Sequence, residues 1–171
     1  IVEDAAHCWT NSNHRIDDEN YFTCYSTQAI KYLTTGDGGF IIGHTWPISR
    51  LKQLRWFGLD RSKGGFRSGQ DISRAGYKYH MNDFNAALAL GNLDGLREVL
   101  QRRSDIGMKY YYAFRNHPNF IPASYAVAPR WLYTCRADNR DKLILHLKRH
   151  FIQASKVDSR IDNNEIFASY R

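Results

Sequence analysis

The feature that most constrains this chain is a short stretch with strand-forming residues that ends in a serine. A lysine follows five residues after the serine, and a glycine-rich turn comes next. The run covers positions 21–25, the serine is Ser26 and the lysine is Lys31. The turn reads Thr-Thr-Gly-Asp-Gly-Gly at positions 34–39. Because glycines and small polar residues interrupt strand and helix patterns alike, the chain should leave one strand at Ser26 and enter another at Phe40–Ile42. The sequence therefore predicts two strands joined by a turn that carries Lys31.

The first residues predict another strand. Ile1 and Val2 are apolar and β-branched, and Glu3 and Asp4 end the run. Buried parallel strands of open α/β sheets place ligand contacts at their carboxyl ends, so Asp4 is a candidate, although an ordinary polar strand end is the simpler interpretation. Since the chain opens directly on this strand, with neither a Met nor a signal peptide, we expect a fragment that lacks its N-terminal part. A processed terminus is the alternative.

Apolar spacing predicts the helices. One covers Pro47–Gly58, and a shorter amphipathic one covers Asp141–His150. Between them Asn82 offers an N-cap for a long helical stretch, which Gly91 and Gly95 should weaken.

The chain changes character after the long helix. The run 131–135 predicts a strand, and 151–157 predicts another strand or an extended segment. With the helix between them they form a β-α-β pattern, which suggests a small second domain. We therefore expect a partial large domain over 1–103, and a long linking helix with a partial small domain over 104–171.

Composition limits the classes of function. The net charge of +7 raises the question of nucleic acid, but no binding motif accompanies the scattered basic residues, so solvated helix faces or an anionic substrate explain the charge better. A mean hydropathy of −0.57 argues against a membrane protein. The three cysteines are odd in number and lack metal-ligand spacing, which is consistent with a reducing cytoplasm and no metal site.

Two motifs carry a resemblance to a known family. Residues 3–7 read E-D-A-A-H, and residues 26–39 fit S-x-x-x-x-K-x-x-T-T-G-x-G-G. Together they resemble the pyridoxal-phosphate core of the DegT/DnrJ/EryC1/StrS sugar aminotransferases. The resemblance implies an α/β, fold-type I transferase that depends on pyridoxal 5′-phosphate (PLP). It further implies the C-terminal part of the large mixed-sheet domain plus a small α+β C-terminal domain.

The resemblance implies a role for each residue of these motifs. Lys31 would carry the cofactor as a Schiff base, and Ser26 would bind its phosphate. Asp4 would pair with the pyridine nitrogen and keep it protonated, so that the charged ring withdraws electrons from the substrate. His7 would contact the ring or its phenolic oxygen, although a lone His is more often structural. Lys31 also argues against the family's dehydratases, in which His replaces this Lys.

A third segment, 76–87, resembles the family's G-Y-x-x-x-M-x-D-x-x-A-A pattern, and 54–58 resembles L-R-x-H-G with Phe57 in place of the common His. In family dimers the polar residues of the third segment reach the neighbouring subunit's cofactor phosphate. The resemblance implies Lys78 and His80 for this contact, since a basic side chain suits a phosphate. A solvated loop before a helix is the alternative.

Near the end of the chain, Arg160 and Asp162 match a family stretch with R-x-D ahead of an aromatic, which implies contacts with the sugar substrate. The function implied is transamination of a nucleotide-linked keto sugar, such as a keto-deoxyhexose in polysaccharide biosynthesis, with glutamate as amino donor. A cytoplasmic homodimer with shared active sites is implied as well. A non-catalytic binding or regulatory protein with the same fold is the alternative.

Overall fold

The computed structural model of the chain describes residues 1–9, 15–64, 69–122, 131–157 and 159–170, with side chains described as far as Phe167. The predicted loops at 11–20 and 60–71, and the family-like stretch at 155–162, lie partly outside the described residues. None of the described helices is long and apolar enough to cross a membrane.

Three strands form the first sheet, in the order β1-β2-β3. Strand β1 (Val2–Asp4) runs parallel to β2 (Phe22–Ser26), and β3 (Gly39–Gly43) runs antiparallel to β2. The predicted strands are therefore confirmed to within a residue or two. The prediction that β1 is buried is wrong, because Ile1 and Val2 are each 72% exposed and β1 lies at the edge of the described sheet.

The two faces of this sheet differ in chemistry. Tyr25 of β2 stacks on Phe40 of β3, with ring centroids 4.8 Å apart, and Trp9 packs against both rings. Thr23 shares that face and donates its hydroxyl hydrogen to Glu3 (2.9 Å). Because side chains alternate along a strand, the opposite face carries the remaining positions of β2, including Ser26.

Helix α1 (Thr45–Leu54) follows β3, and helix α2 (Asp83–Phe114) is a single helix of 32 residues. Asn82 caps α2 as predicted, because its side-chain oxygen accepts the N–H of Asn85 (2.9 Å). Gly91 does not interrupt the helix, since the favourable packing of α2 outweighs the small helix propensity of glycine.

The chain divides into two compact units. One holds the residues up to Ile106 together with Trp131, and the other holds 107–122 and the residues from Leu132 onward. The predicted domain limits of this chain, 1–103 and 104–171, stay a prediction.

The second unit contains a two-stranded antiparallel sheet of β4 (Phe120–Pro122) and β5 (Cys135–Ala137), followed by helix α3 (Arg140–Arg149). Short 3-10 turns at Ile161–Asn163 and Glu165–Tyr170 follow. The predicted strand at 131–135 begins instead at Cys135, where Phe120–Pro122 offers a partner that sequence reasoning missed.

No strand forms over the described residues 151–157, so of the two predicted alternatives the strand is wrong and the extended segment stays a prediction. Without this strand, the β-α-β pattern is not formed among the described residues. The cause lies at the end of α3. Phe151 adopts a left-handed conformation (φ 60°), and the N–H of Ile152 turns back to donate to the carbonyl of Leu147 (2.9 Å). These residues complete the C-terminal cap of the helix instead of pairing with a strand.

Candidate active site

The carboxyl edge of the first sheet brings Asp4 and Ser26 to the same face. Strand pairing places Asp4 directly opposite Cys24, and Ser26 lies two residues further along β2. Paired residues share a face and alternate residues return to it, so the carboxylate and the hydroxyl lie on one side of the sheet. The Asp4 carboxylate accepts the N–H of Ala6 (2.9 Å), and the Ser26 oxygen accepts the N–H of Gln28 (3.3 Å).

The carboxyl edge of the sheet affects the pKa of the neighbouring Cys24 thiol. Burial, and secondly the Asp4 carboxylate, raise the pKa of Cys24 above its usual value. The carboxylate of Asp4 is itself exposed to solvent.

The turn that carries Lys31 continues the hydrogen bonding of β2 and β3. The N–H of Thr27 donates to the carbonyl of Gly38 (2.9 Å), and the N–H of Thr35 donates to the carbonyl of Thr27 (2.8 Å). The hydroxyls of Thr27 and Thr35 lie 2.7 Å apart and are almost fully buried. The base of the turn is thus fixed by backbone and side chains together.

Glycine is required where the turn enters β3. A Cβ added to Gly39 would lie 2.3 Å from the carbonyl oxygen of Tyr25, which is backbone and cannot move aside. Gly38 adopts a φ of +116°, which L-residues with a side chain rarely reach. These two glycines explain in physical terms why the motif ends in Gly-Gly.

Two side chains of helix α2 hold the turn by hydrogen bonds. The side-chain amide of Asn85 donates to the carbonyls of Thr35 (2.8 Å) and Asp37 (3.0 Å). The side-chain amide of Asn92 donates to the carbonyl of Thr34 (2.9 Å). The two asparagines are seven positions apart, which is about two helical turns, so they lie on one face of α2. Sequence reasoning missed both, although asparagine is unfavourable inside a helix and its presence there can signal a side-chain task.

The residues directly after Lys31 anchor the turn in the core. Tyr32 and Leu33 are buried against Leu96 of α2, and Leu100, Trp9 and Trp131 pack around them. The chain on both sides of this lysine is therefore held in place.

Lys31 and His7 meet at one aromatic ring. The Lys31 ammonium nitrogen lies 4.4 Å from the centroid of the Trp131 ring system, and the His7 ring stacks on the same indole at 3.9 Å. Among the described residues no carboxylate forms an ion pair with Lys31. Trp131 is a second contact that sequence reasoning missed, because nothing local in the sequence connects it to positions 7 and 31.

Lys78 and His80 lie on a different segment, which is docked on the end of α1. The N–H groups of Tyr77 and Tyr79 donate to the carbonyls of Leu54 (2.7 Å) and Arg55 (2.9 Å). Lys78 is exposed, whereas His80 packs edge-on against Trp56.

The Nδ1 of His80 is buried without a hydrogen-bond partner in the described part of the chain. That part also shows no hydrogen bond, ion pair or ring contact from Lys78 or His80 to Lys31, so this chain by itself does not bring the two groups of candidates together. Their predicted phosphate contact across subunits stays a prediction.

Arg160 and Asp162 pair with each other in the second unit. The guanidinium donates twice to the carboxylate (2.9 and 2.5 Å), and the two side chains are 80% and 45% exposed. This contact holds the pKa of Asp162 below its usual value. The role of this pair in binding substrate stays a prediction.

The first-unit residues fit the chemistry of PLP. The set comprises a carboxylate for a ring nitrogen (Asp4), a hydroxyl for a phosphate (Ser26), an amine for an aldehyde (Lys31) and an imidazole (His7). Because the Ser26 oxygen already accepts a backbone N–H, its own hydrogen remains available to an anion.

Comparison with known proteins identifies a family for this chain. The profile of the DegT/DnrJ/EryC1/StrS aminotransferase family matches residues 1–169. AtS13 from Actinomadura melliaura shares 27% identity and a TM-score of 0.85, over 99% of this chain and 47% of that one. The sugar aminotransferase CalS13 from Micromonospora echinospora shares 28% identity and a TM-score of 0.83, over 99% and 48%.

A Streptococcus pneumoniae protein solved in its PMP form gives the same fold at 20% identity and a TM-score of 0.78, over 99% of this chain and 46% of that one. The chain thus spans about half the length of the solved structures it matches. These similarities confirm the predicted fold class, a fold-type I PLP-dependent transferase.

Proposed function

The chain belongs to the DegT/DnrJ/EryC1/StrS aminotransferase family, and from this membership we propose that the whole protein is a PLP-dependent sugar aminotransferase. Its substrate would be a nucleotide-linked keto sugar, such as a keto-deoxyhexose, and glutamate would donate the amino group. The similarity to the sugar aminotransferase CalS13 supports the sugar, while the nucleotide and the donor rest on the family resemblance alone.

The observation that carries the proposal is the placement of three groups on neighbouring elements of the first unit. Asp4 and Ser26 lie on one face at the carboxyl edge of the sheet, and the turn that follows Ser26 presents Lys31. Open α/β sheets bind ligands at this edge. A binding module would have no need of this amine, whereas PLP chemistry requires an amine together with a carboxylate and a hydroxyl.

Each residue then has a task that its chemistry allows. When bound, PLP supplies an electron sink for the substrate carbon. Asp4 would hold a proton on the ring nitrogen, and Ser26 would donate its hydroxyl hydrogen to the phosphate. Lys31 would move a proton between the substrate carbon and C4′ of the cofactor through its Nζ. His7 would contact the cofactor ring or its phenolic oxygen.

The remaining candidates extend the proposal beyond one chain. Lys78 and His80 would reach the phosphate bound by a second copy, so that a homodimer forms two equivalent sites. The exposure of Lys78 supports this role, because its side chain is accessible to a second copy. Arg160 and Asp162 would contact the sugar, and the enzyme would work in the cytoplasm.

The test uses the whole protein with added PLP. We expect a visible absorbance band that borohydride removes, and peptide mapping should then place the pyridoxyl label on Lys31. A label on another lysine would overturn the assignment of Lys31, and no band at all would favour a non-catalytic binding protein. Amino-group transfer to keto-deoxyhexoses, with and without an attached nucleotide, tests the substrate.

A further inference from the structure

We propose that Trp131 is a positioning residue that holds the Lys31 amine and the His7 ring on one indole surface. What this means for catalysis rests on the proposed function, but the contact itself does not. Trp131 lies outside both sequence motifs, and it is brought to them only by the fold.

Trp131 is itself fixed at two points. Its indole N–H donates to the carbonyl of Ile30 (2.9 Å), the residue directly before the lysine. Its own carbonyl accepts a hydrogen bond from the guanidinium of Arg103 (3.0 Å), which also lies over the ring of Tyr32 (5.5 Å). The indole is therefore tied to the backbone on one side of Lys31 and, through Arg103, to the ring on the other side.

A ring fixed in this way can place a flexible cation. The side chain of lysine has four rotatable bonds, and an unrestrained amine would spend little time in one orientation. The face of an indole attracts an ammonium group within about 6 Å of its centroid. With Nζ at 4.4 Å and no carboxylate paired to it among the described residues, the indole is the group that directs the Lys31 amine.

The indole of Trp131 also holds the imidazole ring of His7. His7 lies nearly parallel to the indole, with 20° between the ring planes. His7 and Asp4 are separated by only two residues, so Trp131 links the strand end that carries the carboxylate to the turn that carries the amine. We infer that this link sets the distance between the two chemical groups before the cofactor arrives.

The test measures how readily Lys31 reacts in the cofactor-free whole protein. Trace acylation by acetic anhydride, followed by peptide mapping, gives the labelling of Lys31 relative to Lys52, an exposed lysine of α1. Lys31 should label more slowly than Lys52 in the unaltered protein. In Trp131→Leu the ratio should rise about two- to five-fold, because the ring no longer attracts the ammonium form.

Three variants separate this role from a structural one. Trp131→Phe keeps an aromatic face and should give an intermediate ratio, which a role in packing alone does not predict. Trp46→Leu removes another cation-binding tryptophan, whose ring lies under Arg50, and should leave the ratio unchanged. Arg103→Gln releases the Trp131 carbonyl and should raise the Lys31 ratio in part.

The proposal is overturned if Trp131→Leu folds normally and the ratio stays the same, or if the Phe and Leu variants behave alike. If Trp131→Leu does not fold, the unaltered protein and Trp131→Phe decide the matter by the same ratio. Because no cofactor is present, a failure here leaves the aminotransferase assignment standing. Conversely, the absence of a PLP band would leave the labelling result valid.

Discussion

The Lys31 turn and the Arg160–Asp162 pair were both found from short motifs, yet the structure holds them in different ways. The turn is fixed by hydrogen bonds from residues about fifty positions away in the sequence, and buried side chains follow the lysine directly. The pair is held by a contact between residues two positions apart, and both side chains face solvent. A motif therefore specifies residue types, and only distant contacts specify where those residues stay.

The two kinds of contact also differ in how much they contribute to the stability of the fold. Exposed ion pairs contribute little to stability, because water competes for both charges and two long side chains must be ordered. Buried hydrogen bonds and packed apolar groups cost more to break. We therefore expect substitutions around Lys31 to affect folding and catalysis together, and substitutions at Arg160 to affect mainly substrate binding, with only a small change in stability.

The largest effect should come from Lys31→Ala. Loss of the Lys31 amine should abolish turnover, and loss of a general base alone is worth about 10²- to 10⁴-fold. Some non-covalent PLP binding should remain, because Asp4 and Ser26 are intact. Steady-state assays and equilibrium dialysis of the whole protein measure the two. Arg160→Ala is the matched variant of the Arg160–Asp162 pair and should mainly raise the KM for the sugar. If Lys31→Ala kept turnover within tenfold of the unaltered enzyme, the proposed difference between the two regions would be wrong.

Asp4→Asn should follow, with a loss on the order of 10³-fold in kcat. The amide keeps the shape of the side chain but not the charge that holds a proton on the ring nitrogen. The Cys24 thiol is an internal control, since removal of the Asp4 charge should lower its pKa and speed its alkylation by iodoacetamide at neutral pH. Unchanged turnover together with faster alkylation would show that another residue serves the ring nitrogen.

Gly39→Ala should destabilise the turn by about 1–3 kcal/mol, the usual cost of an overpacked site. The added Cβ would clash with the carbonyl of Tyr25. Gly91→Ala is the matched control, because a Cβ there meets nothing within 4 Å and should stabilise α2 by about 1 kcal/mol. Urea unfolding of both variants measures the effect; equal stability of the two would mean that the turn tolerates a side chain where it enters β3.

Loss of the side-chain hydrogen bonds from α2 to the turn should have an effect of similar size, and it tests the comparison most directly. Asn85→Ala should lower the free energy of unfolding by about 1–3 kcal/mol, because it leaves the buried carbonyl of Thr35 without this donor. Asn92→Ala removes a single hydrogen bond and should cost less. Asn163→Ala lies on an exposed 3-10 turn of the second unit and should change little. If all three variants melt alike, the turn does not depend on α2.

The smallest effect concerns acid stability at Asp162. The pKa of this carboxyl is lowered by the hydrogen bond from Arg160, so the pair stabilises the fold above the ordinary pKa of aspartate. That contribution is lost as the pH falls through the folded-state pKa. NMR titration should show the pKa of Asp162 rise toward its ordinary value in Arg160→Gln. An unchanged titration would mean that the pair is not formed in solution.

The sequence predicted those elements whose limits are set by neighbouring residues. Glycines and β-branched runs placed β2 and β3, and Asn82 marked the start of α2. It did not reveal Trp131, Asn85 or Asn92, because their partners lie far away along the chain. The sequence also suggested a strand after α3, where the first apolar residues instead complete the C-terminal cap of that helix.

The long-range contacts of the Lys31 turn also impose an order on folding. The Asn85 hydrogen bond closes a loop of 50 residues and the Trp131 hydrogen bond closes one of 101, and a doubling of loop length costs only about 0.6 kcal/mol more in chain entropy. Loops that close over shorter distances tend to form earlier. We expect α2 to secure the turn first and Trp131 to join it later, which pulse-labelling hydrogen exchange at the amides of Thr35 and Trp131 can follow. During synthesis, the reactive lysine therefore leaves the ribosome long before the residues that control it.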